Sequence, residues 1–396
     1  MTLTGKRILL GISGGIAAYK SAELVRLLIK SGADVRVAMT EAAARFVTPV
    51  TLQALCGQTV WTDLWDPRIP DNMGHIELSR DRELIVIAPA TADFMAKLAH
   101  GLADDLLSAL CLARRAPLML APAMNVEMWE NAATQRNAAA LEGDGVLLAG
   151  PAEGDQACGE VGMGRMLEPA QIAAQIEALF QPKRLKGKRV LVTAGPTEEP
   201  VDPVRVLTNA SSGKMGYAVA RAAREAGAEV TLISGPVALA TPPGVARIDV
   251  RTAQQMFEAV RKSAKACDVF ISVAAVADYR VRNPSAKKIK KRNGKDIALT
   301  LEENPDILAW VAALPKAPFC VGFAAESEML AQNARKKRAK KKIPLLAANL
   351  AQQAIGKDEN AITLYDDRGE HPLGRGPKLE LARKLIAHIA GMLPRR

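Results

Sequence analysis

Cysteine is scarce in this sequence, and its few copies lie far apart. Five cysteines occur in 396 residues, at positions 56, 111, 158, 267 and 320, and no two of them form a CxxC pair. This spacing argues against a disulfide framework and against a zinc site, because both need clustered cysteines. We therefore expect free thiols in a reducing, cytoplasmic environment and no metal held by side chains.

Long apolar runs are also missing. Although 49% of the residues are hydrophobic, no stretch approaches the roughly 20 consecutive apolar residues of a membrane helix. The N-terminus, MTLTGKRILL, passes directly into a strand pattern and lacks the layout of a signal peptide. We expect a cytoplasmic protein with no membrane partner.

Aromatic residues make up only 4% of the chain, whereas the formal net charge is +11. The positive charge is concentrated in three basic runs, at 182–189, 287–292 and 335–342. No aromatic residue interrupts these runs, so base stacking on nucleic acid is poorly supported. We expect small anionic ligands and no nucleic acid. The alternative, a nucleic-acid-binding protein, would bind polynucleotides in a salt-sensitive manner.

Apolar strand patterns alternate with helical patterns twice along the chain. RILLGI, DVRVAMT, LIVIAPA and LMLAPA belong to the first series, and KRVLVTAGP, EVTLISGP and DVFISVAAVADY to the second. This rhythm predicts two α/β domains, each with a doubly wound, mostly parallel sheet. The predicted domains are residues 1–180 and 187–396, joined by a polar, basic linker at 181–188.

Glycine is concentrated in one segment, GDQACGEVGMGRM, at 154–166. Four glycines disfavour a helix or a central strand, so we expect a loop. Cys158 lies in this segment, where a thiol has little to pack against, and this favours a chemical role. A second string, PAMNVEMW at 122–129, places Asn125 directly after a strand pattern.

Small and hydroxyl-bearing residues follow three of the predicted strands. GISGGIAAYK (11–20) follows the first strand, Thr40 follows the second, and APATAD (88–93) ends a later one. The carboxyl ends of parallel strands meet at one edge, where the start of a helix can bind phosphate. Because the G-x-G-x-x-G spacing and its acidic partner are missing, this pattern favours flavin mononucleotide. A tandem NAD(P) oxidoreductase is the alternative.

Two sets of segments carry a family resemblance. GISGGIAAYK, MGHIELS around His75, APATAD, PAMNVEMW and ACGEVGMGRM resemble the flavin-dependent cysteine decarboxylases. AGPTEEPVDPVRVLTNASSGKMG, AAVADY, KKIKK, NPDIL and GFAAE resemble phosphopantothenate–cysteine ligase. The sets cover nearly the whole chain, in the order found in the bacterial bifunctional enzymes of coenzyme A synthesis. The resemblance implies a flavodoxin-like first domain and a Rossmann-like ligase domain.

The resemblance implies that FMN oxidises the substrate's CH2–SH to a thioaldehyde, after which CO2 leaves and the product is reduced. Pyridoxal chemistry does not serve here, because the cysteine amine is tied up as an amide and cannot form a Schiff base. His75 would act as base, Asn125 would hold the substrate carboxylate, and Cys158 would donate a proton. The implied FMN contacts are Ser13, Gly14, Gly15, Thr40, Ala88, Pro89 and Thr91.

The second domain, by the same resemblance, joins 4'-phosphopantothenate to cysteine with CTP through an acyl-cytidylate. Mg2+ would accompany the triphosphate, held mainly by its phosphates. Asn209, in NASSGKMG, would stabilise the acyl-cytidylate. The implied CTP contacts are Ala274, Ala275, Asp278, Lys288, Pro305, Asp306, Ile307, Leu308, Phe323, Lys337 and Lys341.

The ligase half departs from the family pattern at two positions. Pro344 follows the last basic run and Leu350 ends AANL, where the family usually has aspartates. A single-activity decarboxylase with a degenerate second domain is therefore a further alternative. The resemblance also implies a homo-oligomer based on trimers, with a dodecamer as one such assembly and the ligase halves paired as dimers.

Overall fold

The chain folds into two compact units, Met1–Phe180 and Gln181–Arg396. The structure is a computed structural model, and it describes residues 2–68, 73–290, 297–354 and 356–394. Each unit contains a sheet with helices packed on both faces, and the predicted α/β class is confirmed. Among the helices described, none has the length and apolar character needed to cross a membrane.

The first unit contains a six-stranded parallel sheet and a separate two-stranded antiparallel hairpin. Its strands are β1 (Arg7–Ile12), β2 (Asp34–Met39), β3 (Val60–Trp61), β4 (Leu84–Ala90), β5 (Leu118–Pro122), β6 (Leu147–Leu148), β7 (Ala152–Asp155) and β8 (Val161–Arg165). Its helices are α1 (Tyr19–Lys30), α2 (Glu41–Ala44), α3 (Pro49–Cys56), α4 (Gly74–Ser79), α5 (Ala92–His100), α6 (Leu106–Leu112), α7 (Val126–Glu130), α8 (Ala132–Gly143) and α9 (Pro169–Leu179).

Strand order in this sheet is β3-β2-β1-β4-β5-β6, and neighbouring strands pair in parallel. Without the two-residue β3, the remaining five strands have the order 2-1-3-4-5 that is typical of flavodoxin-like sheets. Side chains alternate between the faces: Leu10 packs into one core cluster and Leu9 into the other. Burial on both faces explains why these strands read as continuous apolar runs.

The second unit contains a larger, eight-stranded sheet and two separate two-stranded antiparallel sheets. Its strands are β9 (Arg189–Ala194), β10 (Glu198–Pro200), β11 (Val206–Thr208), β12 (Glu229–Ser234), β13 (Ala246–Asp249), β14 (Val269–Ser272), β15 (Tyr279–Val281), β16 (Leu301–Glu303), β17 (Phe319–Glu326), β18 (Leu345–Leu350), β19 (Glu359–Asp366) and β20 (Gly369–Pro377). Its helices are α10 (Lys214–Glu225), α11 (Ala253–Ser263), α12 (Ile307–Ala312), α13 (Leu330–Lys341), α14 (Ala351–Ala354) and α15 (Lys378–Met392).

The order of the large sheet is β13-β12-β9-β14-β17-β18-β19-β20. The first six strands are parallel and, numbered among themselves, follow the Rossmann order 3-2-1-4-5-6. The hairpin of β19 and β20 extends the sheet in antiparallel fashion. Alternation again separates two cores, with Val190 on one face and Leu191 on the other.

The glycine-rich segment 154–166 is not the loop that its composition predicts. β7 and β8 form an antiparallel hairpin whose tip, residues 156–160, contains Cys158. The glycines are needed for close approach: a Cβ on Gly162 would lie 2.6 Å from Val126 Cγ2, and one on Gly164 2.5 Å from the Met124 carbonyl oxygen. The hairpin therefore lies directly against the start of α7.

The segment 181–188, predicted to be a linker, packs in part into the second unit. Leu185 is 1% exposed and belongs to the core of that unit. Its backbone N–H donates to the Ala226 carbonyl at 2.8 Å. The segment that connects the two units without packing into a core is therefore shorter than the predicted linker 181–188.

Candidate functional site

In the first unit, the loops that follow β1 and β4 are joined by a serine. The Ser13 hydroxyl donates to the Pro89 carbonyl at 2.8 Å and accepts from the Thr91 N–H at 3.0 Å. Ser13, Ala88 and Pro89 are buried. Ser13 and Pro89 therefore help to hold the loops together, while the neighbouring half-buried residues reach the surface.

Those half-buried residues form a narrow, uncharged cradle. Thr40 and Thr91 cap α2 and α5, each hydroxyl accepting a helix N–H at 3.2 Å. A Cβ on Gly14 would lie 2.5 Å from the Cβ of Ala42, whereas one on Gly15 would meet Thr91 at an ordinary 3.5 Å. The cradle at the carboxyl ends of β1, β2 and β4 thus offers backbone and hydroxyl groups to a flat or phosphorylated ligand. The residues present fit the predicted FMN.

Two predicted catalytic residues of the first unit meet at a third residue, Glu160. Asn125 caps α7, its Oδ1 accepting the Met128 N–H at 3.0 Å. Asn125 Nδ2 donates to Glu160 Oε2, and the Cys158 Sγ donates to the same oxygen at 3.5 Å. Sequence reasoning missed Glu160, although it lies only two residues after Cys158.

The hairpin tip is fixed to α7 by a further contact. Gln156 Oε1 accepts the Val126 N–H at 2.9 Å, and the Met124 N–H donates to the Gly164 carbonyl at 2.9 Å. These bonds satisfy amides at the entrance of a helix that would otherwise lack acceptors. Cys158, exposed at the tip, is thereby held near Asn125.

His75 lies elsewhere, in α4, which packs against α6. Its Nδ1 is buried and has no hydrogen-bond partner among the described residues. Leaving a buried ring nitrogen without a hydrogen-bond partner costs free energy. Such a nitrogen is expected where a bound ligand supplies the missing partner. The structure records no bond from His75 to Asn125 or Cys158 within the described part of the chain.

Three of the remaining cysteines are chemically quiet. Burial raises the pKa of Cys111 and Cys320 to about 12 and that of Cys267 to about 11. Thiols with such pKa values stay protonated at neutral pH and are poor nucleophiles. Cys158 is exposed and Cys56 is half-buried.

In the second unit, a cavity of about 720 Å³ lies at the carboxyl ends of the central strands. Every predicted ligase residue except Lys288 lines it, namely Asn209, Ala274, Ala275, Asp278, Pro305, Asp306, Ile307, Leu308, Phe323, Lys337 and Lys341. Further lining residues that sequence reasoning missed include Lys214, Asn304, Asn349, Asn360 and Lys378. Residues separated by up to 169 positions in the chain therefore share one cavity.

Lys288 is the exception among the predicted CTP contacts. It is exposed on the segment before residues 291–296, which lie outside the described part of the chain, and it is absent from the cavity wall. Its neighbour Ile289 donates its N–H to Asp202 at 3.0 Å. Arg205 holds the pKa of Asp202 well below the usual range, so this anchor is anionic.

Two of the lysines that line the cavity, Lys337 and Lys341, lie on α13. Lys341 contacts both carboxylate oxygens of Asp306 at 2.7 Å, and Asp306 also caps α12 through the Ala309 N–H. Burial raises the pKa of Asp306, but these contacts outweigh it and the net pKa is lowered. Burial, together with the neighbouring Lys341, lowers the pKa of Lys337. Lys337 makes no ion pair among the described residues, so an anionic ligand would stabilise its charge.

The basic run 335–342 divides by helical spacing. Lys337 and Lys341, four residues apart on α13, face the cavity. Arg335 contacts Glu370 at 2.5 Å, and Arg338 pairs with Asp367, both near the turn between β19 and β20. The run is thus a cavity wall on one side and a set of intramolecular ion pairs on the other.

The loops around the cavity are bound to one another through side-chain amides. Asn209 Nδ2 donates to the Ala275 carbonyl at 2.8 Å, and Asn304 Nδ2 donates to the Ala277 carbonyl at 2.9 Å. Gly216 allows α10 to begin against β9, since a Cβ there would lie 2.4 Å from that of Ala194. Asn209 is therefore fixed beside Ala275, one of the predicted CTP contacts.

Comparison with known proteins gives the same division of the chain. The Flavoprotein family model matches residues 1–181, and the model of the DNA/pantothenate metabolism flavoprotein C-terminal domain matches residues 185–393. Among solved structures, the C-terminal domain of a coenzyme A biosynthesis bifunctional protein CoaBC is 39% identical over 53% of this chain and 97% of that chain, with a TM-score of 0.46. The FMN-dependent cysteine decarboxylase SpaF is 31% identical over 44% and 99%, with a TM-score of 0.39.

Full-length relatives are similar over nearly the whole chain. The coenzyme A biosynthesis bifunctional protein CoaBC of Vibrio vulnificus (strain YJ016) is 51% identical over 99% of both chains. Those of Escherichia coli (strain K12) and Bacillus subtilis (strain 168) are 49% and 43% identical over 98% of both chains. The prediction of a bifunctional decarboxylase and ligase is confirmed, and the chain belongs to the CoaBC family of bifunctional enzymes of coenzyme A biosynthesis.

Proposed function

We propose that the second unit joins 4'-phosphopantothenate to cysteine with CTP through an acyl-cytidylate, and that the first unit decarboxylates the resulting 4'-phosphopantothenoylcysteine to 4'-phosphopantetheine with FMN. One observation carries the proposal. Asn125 and Cys158 meet at a hairpin tip in the first unit, while the second unit has a cavity walled by lysines. A carboxylate-binding amide beside a proton donor suits the first reaction, and fixed cations suit nucleotidyl transfer.

In the first unit, the backbone at Gly14 and Gly15 and the hydroxyls of Thr40 and Thr91 would hold FMN. When bound, FMN supplies a reversible two-electron acceptor for the sulfur-bearing carbon of the substrate. Asn125 Nδ2, its orientation fixed by the helix cap, would donate to the substrate carboxylate.

Two further side chains of this unit would move protons. The buried Nδ1 of His75 would accept a proton from the substrate, because it has no partner within the described residues. The exposed Cys158 thiol would deliver a proton to the carbon that loses CO2. Since the tip of the hairpin carries Cys158, substrate can enter before this donor closes over it.

In the second unit, Lys337 and Lys341 would contact the triphosphate from one face of α13, with Lys288 approaching from its own exposed segment. Ala274 and Ala275 leave room for a base, and Asp278 would read its polar edge. Asn209, fixed to the Ala275 carbonyl, would stabilise the acyl-cytidylate. Mg2+ would be held mainly by the phosphates, because Lys341 already occupies the carboxylate of Asp306.

The test is a mass balance on the purified protein. With 4'-phosphopantothenate, cysteine, CTP and Mg2+, we expect one pyrophosphate, one CMP and one CO2 per 4'-phosphopantetheine. With 4'-phosphopantothenoylcysteine supplied instead, CO2 should appear without CTP. Decarboxylation without CTP-dependent pyrophosphate release would identify a single-activity decarboxylase. Nicotinamide binding without flavin would identify an oxidoreductase, and polynucleotide binding that CTP does not compete away would identify a nucleic-acid-binding protein.

We further propose that the protein is a homo-oligomer, trimer-based and up to a dodecamer, with paired ligase units. Exposed apolar side chains beside the cradle support this: Ile16 is 62% exposed, Tyr19 63% and Phe46 50%. Exposed apolar groups mark interaction sites where they form a patch. Light scattering should show a trimer or a multiple of it, and Tyr19→Glu should reduce the mass. A cytoplasmic location also stays a prediction.

A further inference from the structure

Glu160 receives hydrogen bonds from two residues that the proposed reaction uses. Asn125 Nδ2 and Cys158 Sγ both donate to the same oxygen, Oε2. The other end of the Asn125 amide is committed, because Oδ1 accepts the Met128 N–H at the start of α7. The amide can therefore offer only the two N–H groups of Nδ2 to an anion, and the Glu160 carboxylate accepts one of them.

A substrate carboxylate at Asn125 would have to approach this bound carboxylate. Two anions at one amide repel each other, and the repulsion grows as water is excluded from the site. Glu160 is exposed at the hairpin tip, so its side chain can leave Asn125 without disturbing the core. The arrangement is that of an internal carboxylate standing where a ligand carboxylate belongs.

We propose that Glu160 is a positioning and specificity residue that occupies the Asn125 amide in the free enzyme and yields it to the substrate carboxylate. The inference rests on the proposed role of Asn125. When the substrate carboxylate departs as neutral CO2, the amide is vacant again and Glu160 returns to it. Because Cys158 is bonded to the same oxygen, this return places the thiol beside Asn125 after carboxylate loss.

The consequence is selective competition. 4'-Phosphopantothenoylcysteine must displace Glu160, whereas 4'-phosphopantetheine, which differs by the lost carboxylate, need not. Neutralising Glu160 should therefore strengthen substrate binding and leave product binding unchanged. A residue with a merely structural role in the hairpin would change both affinities alike.

The experiment measures the two dissociation constants by calorimetry on the full-length, FMN-loaded protein. A His75→Asn background is used, after verifying that it releases no CO2. Glu160→Gln should tighten substrate binding by about tenfold, equivalent to about 1.4 kcal/mol, with the product constant unchanged. Glu153→Gln is the matched control, because Glu153 is an exposed carboxylate on β7 of the same hairpin, and it should change neither constant.

Asn125→Ser separates this inference from the proposed function. Serine keeps a capping oxygen for α7 but removes the Nδ2 donor. If Asn125→Ser weakens substrate but not product binding, the role of Asn125 stands, and Glu160→Gln should have no effect in that background. An unchanged substrate-to-product ratio in Glu160→Gln alone overturns the inference about Glu160. Unchanged substrate binding in Asn125→Ser overturns the proposed role of Asn125 as well.

Discussion

The two units have their proposed ligand sites at the same edge of nearly the same sheet but line that edge differently. In both, the parallel strands follow the order 3-2-1-4-5-6, so that the central crossover opens a crevice at their carboxyl ends. The first unit offers glycine backbone and threonine hydroxyls there. The second offers lysines around a cavity of about 720 Å³.

This difference shows that the fold and the side chains determine different properties of a ligand site. Strand order determines where a ligand can sit, and the residues at the strand ends determine its charge. A neutral cradle suits a flavin, whose ring needs contact more than charge. A triphosphate needs fixed cations, and Lys337, which makes no ion pair among the described residues, is the cation proposed for it.

The largest expected effect is on the decarboxylation rate, and it tests the proposed site of the first unit. His75→Asn removes the proposed base and should slow decarboxylation by about 10²- to 10⁴-fold while leaving CTP-dependent ligation unchanged. His100→Asn, an exposed histidine in the last turn of α5, is the control. Assays of CO2 release and pyrophosphate release on both variants measure the two activities separately. Equal loss of both activities would mean that the two units do not act separately.

Truncated proteins test whether the second unit folds without the first, through its stability against urea. A protein of residues 181–396 should fold and ligate, whereas one of residues 187–396 lacks Leu185, which is buried in the core of the second unit. Loss of a buried leucine costs about 2–5 kcal/mol, so the shorter protein should unfold at lower urea concentration. Equal urea midpoints for the two proteins would show that Leu185 contributes nothing to the second core.

Lys337→Gln tests the charge of the second cavity. Removing a fixed cation from a nucleotidyl-transfer site should slow ligation by about 10²-fold, and decarboxylation should be unaffected. Lys336→Gln on the same helix is the matched control, because Lys336 is exposed and is not part of the cavity wall. Pyrophosphate release at saturating CTP gives the rate. A similar decrease in both variants would assign the effect to net charge rather than to position.

The smallest effect concerns a carboxylate found in the second unit and outside its cavity. Asp366, on β19, hydrogen-bonds His371 at 2.9 Å and His388 at 3.0 Å. Burial raises the pKa of Asp366, but the bonds from His371, the Arg368 amide and His388 outweigh it and give a pKa of about 2. A lowered carboxyl pKa stabilises the folded state above the unfolded pKa of 3.8, and this stabilisation is lost as the pH falls through about 2.

The difference in melting temperature between the wild type and Asp366→Asn should therefore be full above pH 4 and should disappear toward pH 2. At neutral pH the loss should be about 1.5–3 kcal/mol, typical of hydrogen bonds to a charged group. Asp367→Asn, on the exposed neighbour, should show a much smaller difference. A difference that does not change with pH would show that the Asp366 charge is not involved.

Periodicity was sufficient to predict both sheets, whereas the family resemblance supplied the predicted residues of the second cavity. Apolar runs predict buried parallel strands directly, and residues at the carboxyl ends of such strands must converge. The hairpin at 154–166 could not be predicted in this way. Its glycines serve contacts with Val126 and Met124, and composition does not reveal which surface a glycine approaches.

Two site residues show the same limit. Lys288 belongs to one basic run, and Lys337 and Lys341 belong to another. The helical spacing of Lys337 and Lys341 on α13 makes both of them face the cavity, whereas Lys288 does not line it. Glu160 lies 35 residues from Asn125, so its hydrogen bond depends on the hairpin folding back onto α7. Contacts of this kind follow from tertiary approach, which local sequence patterns do not encode.

The outer strand of the large sheet has a consequence for behaviour at high concentration. β20 contains Pro372, which lacks a backbone N–H, and glycines at 374 and 376, and its register against β19 shifts between Ile362 and Thr363. A strand with these features is a poor template for another chain to pair with. The second unit should therefore resist aggregation by sheet extension at β20, and contacts between subunits should form through side-chain surfaces elsewhere.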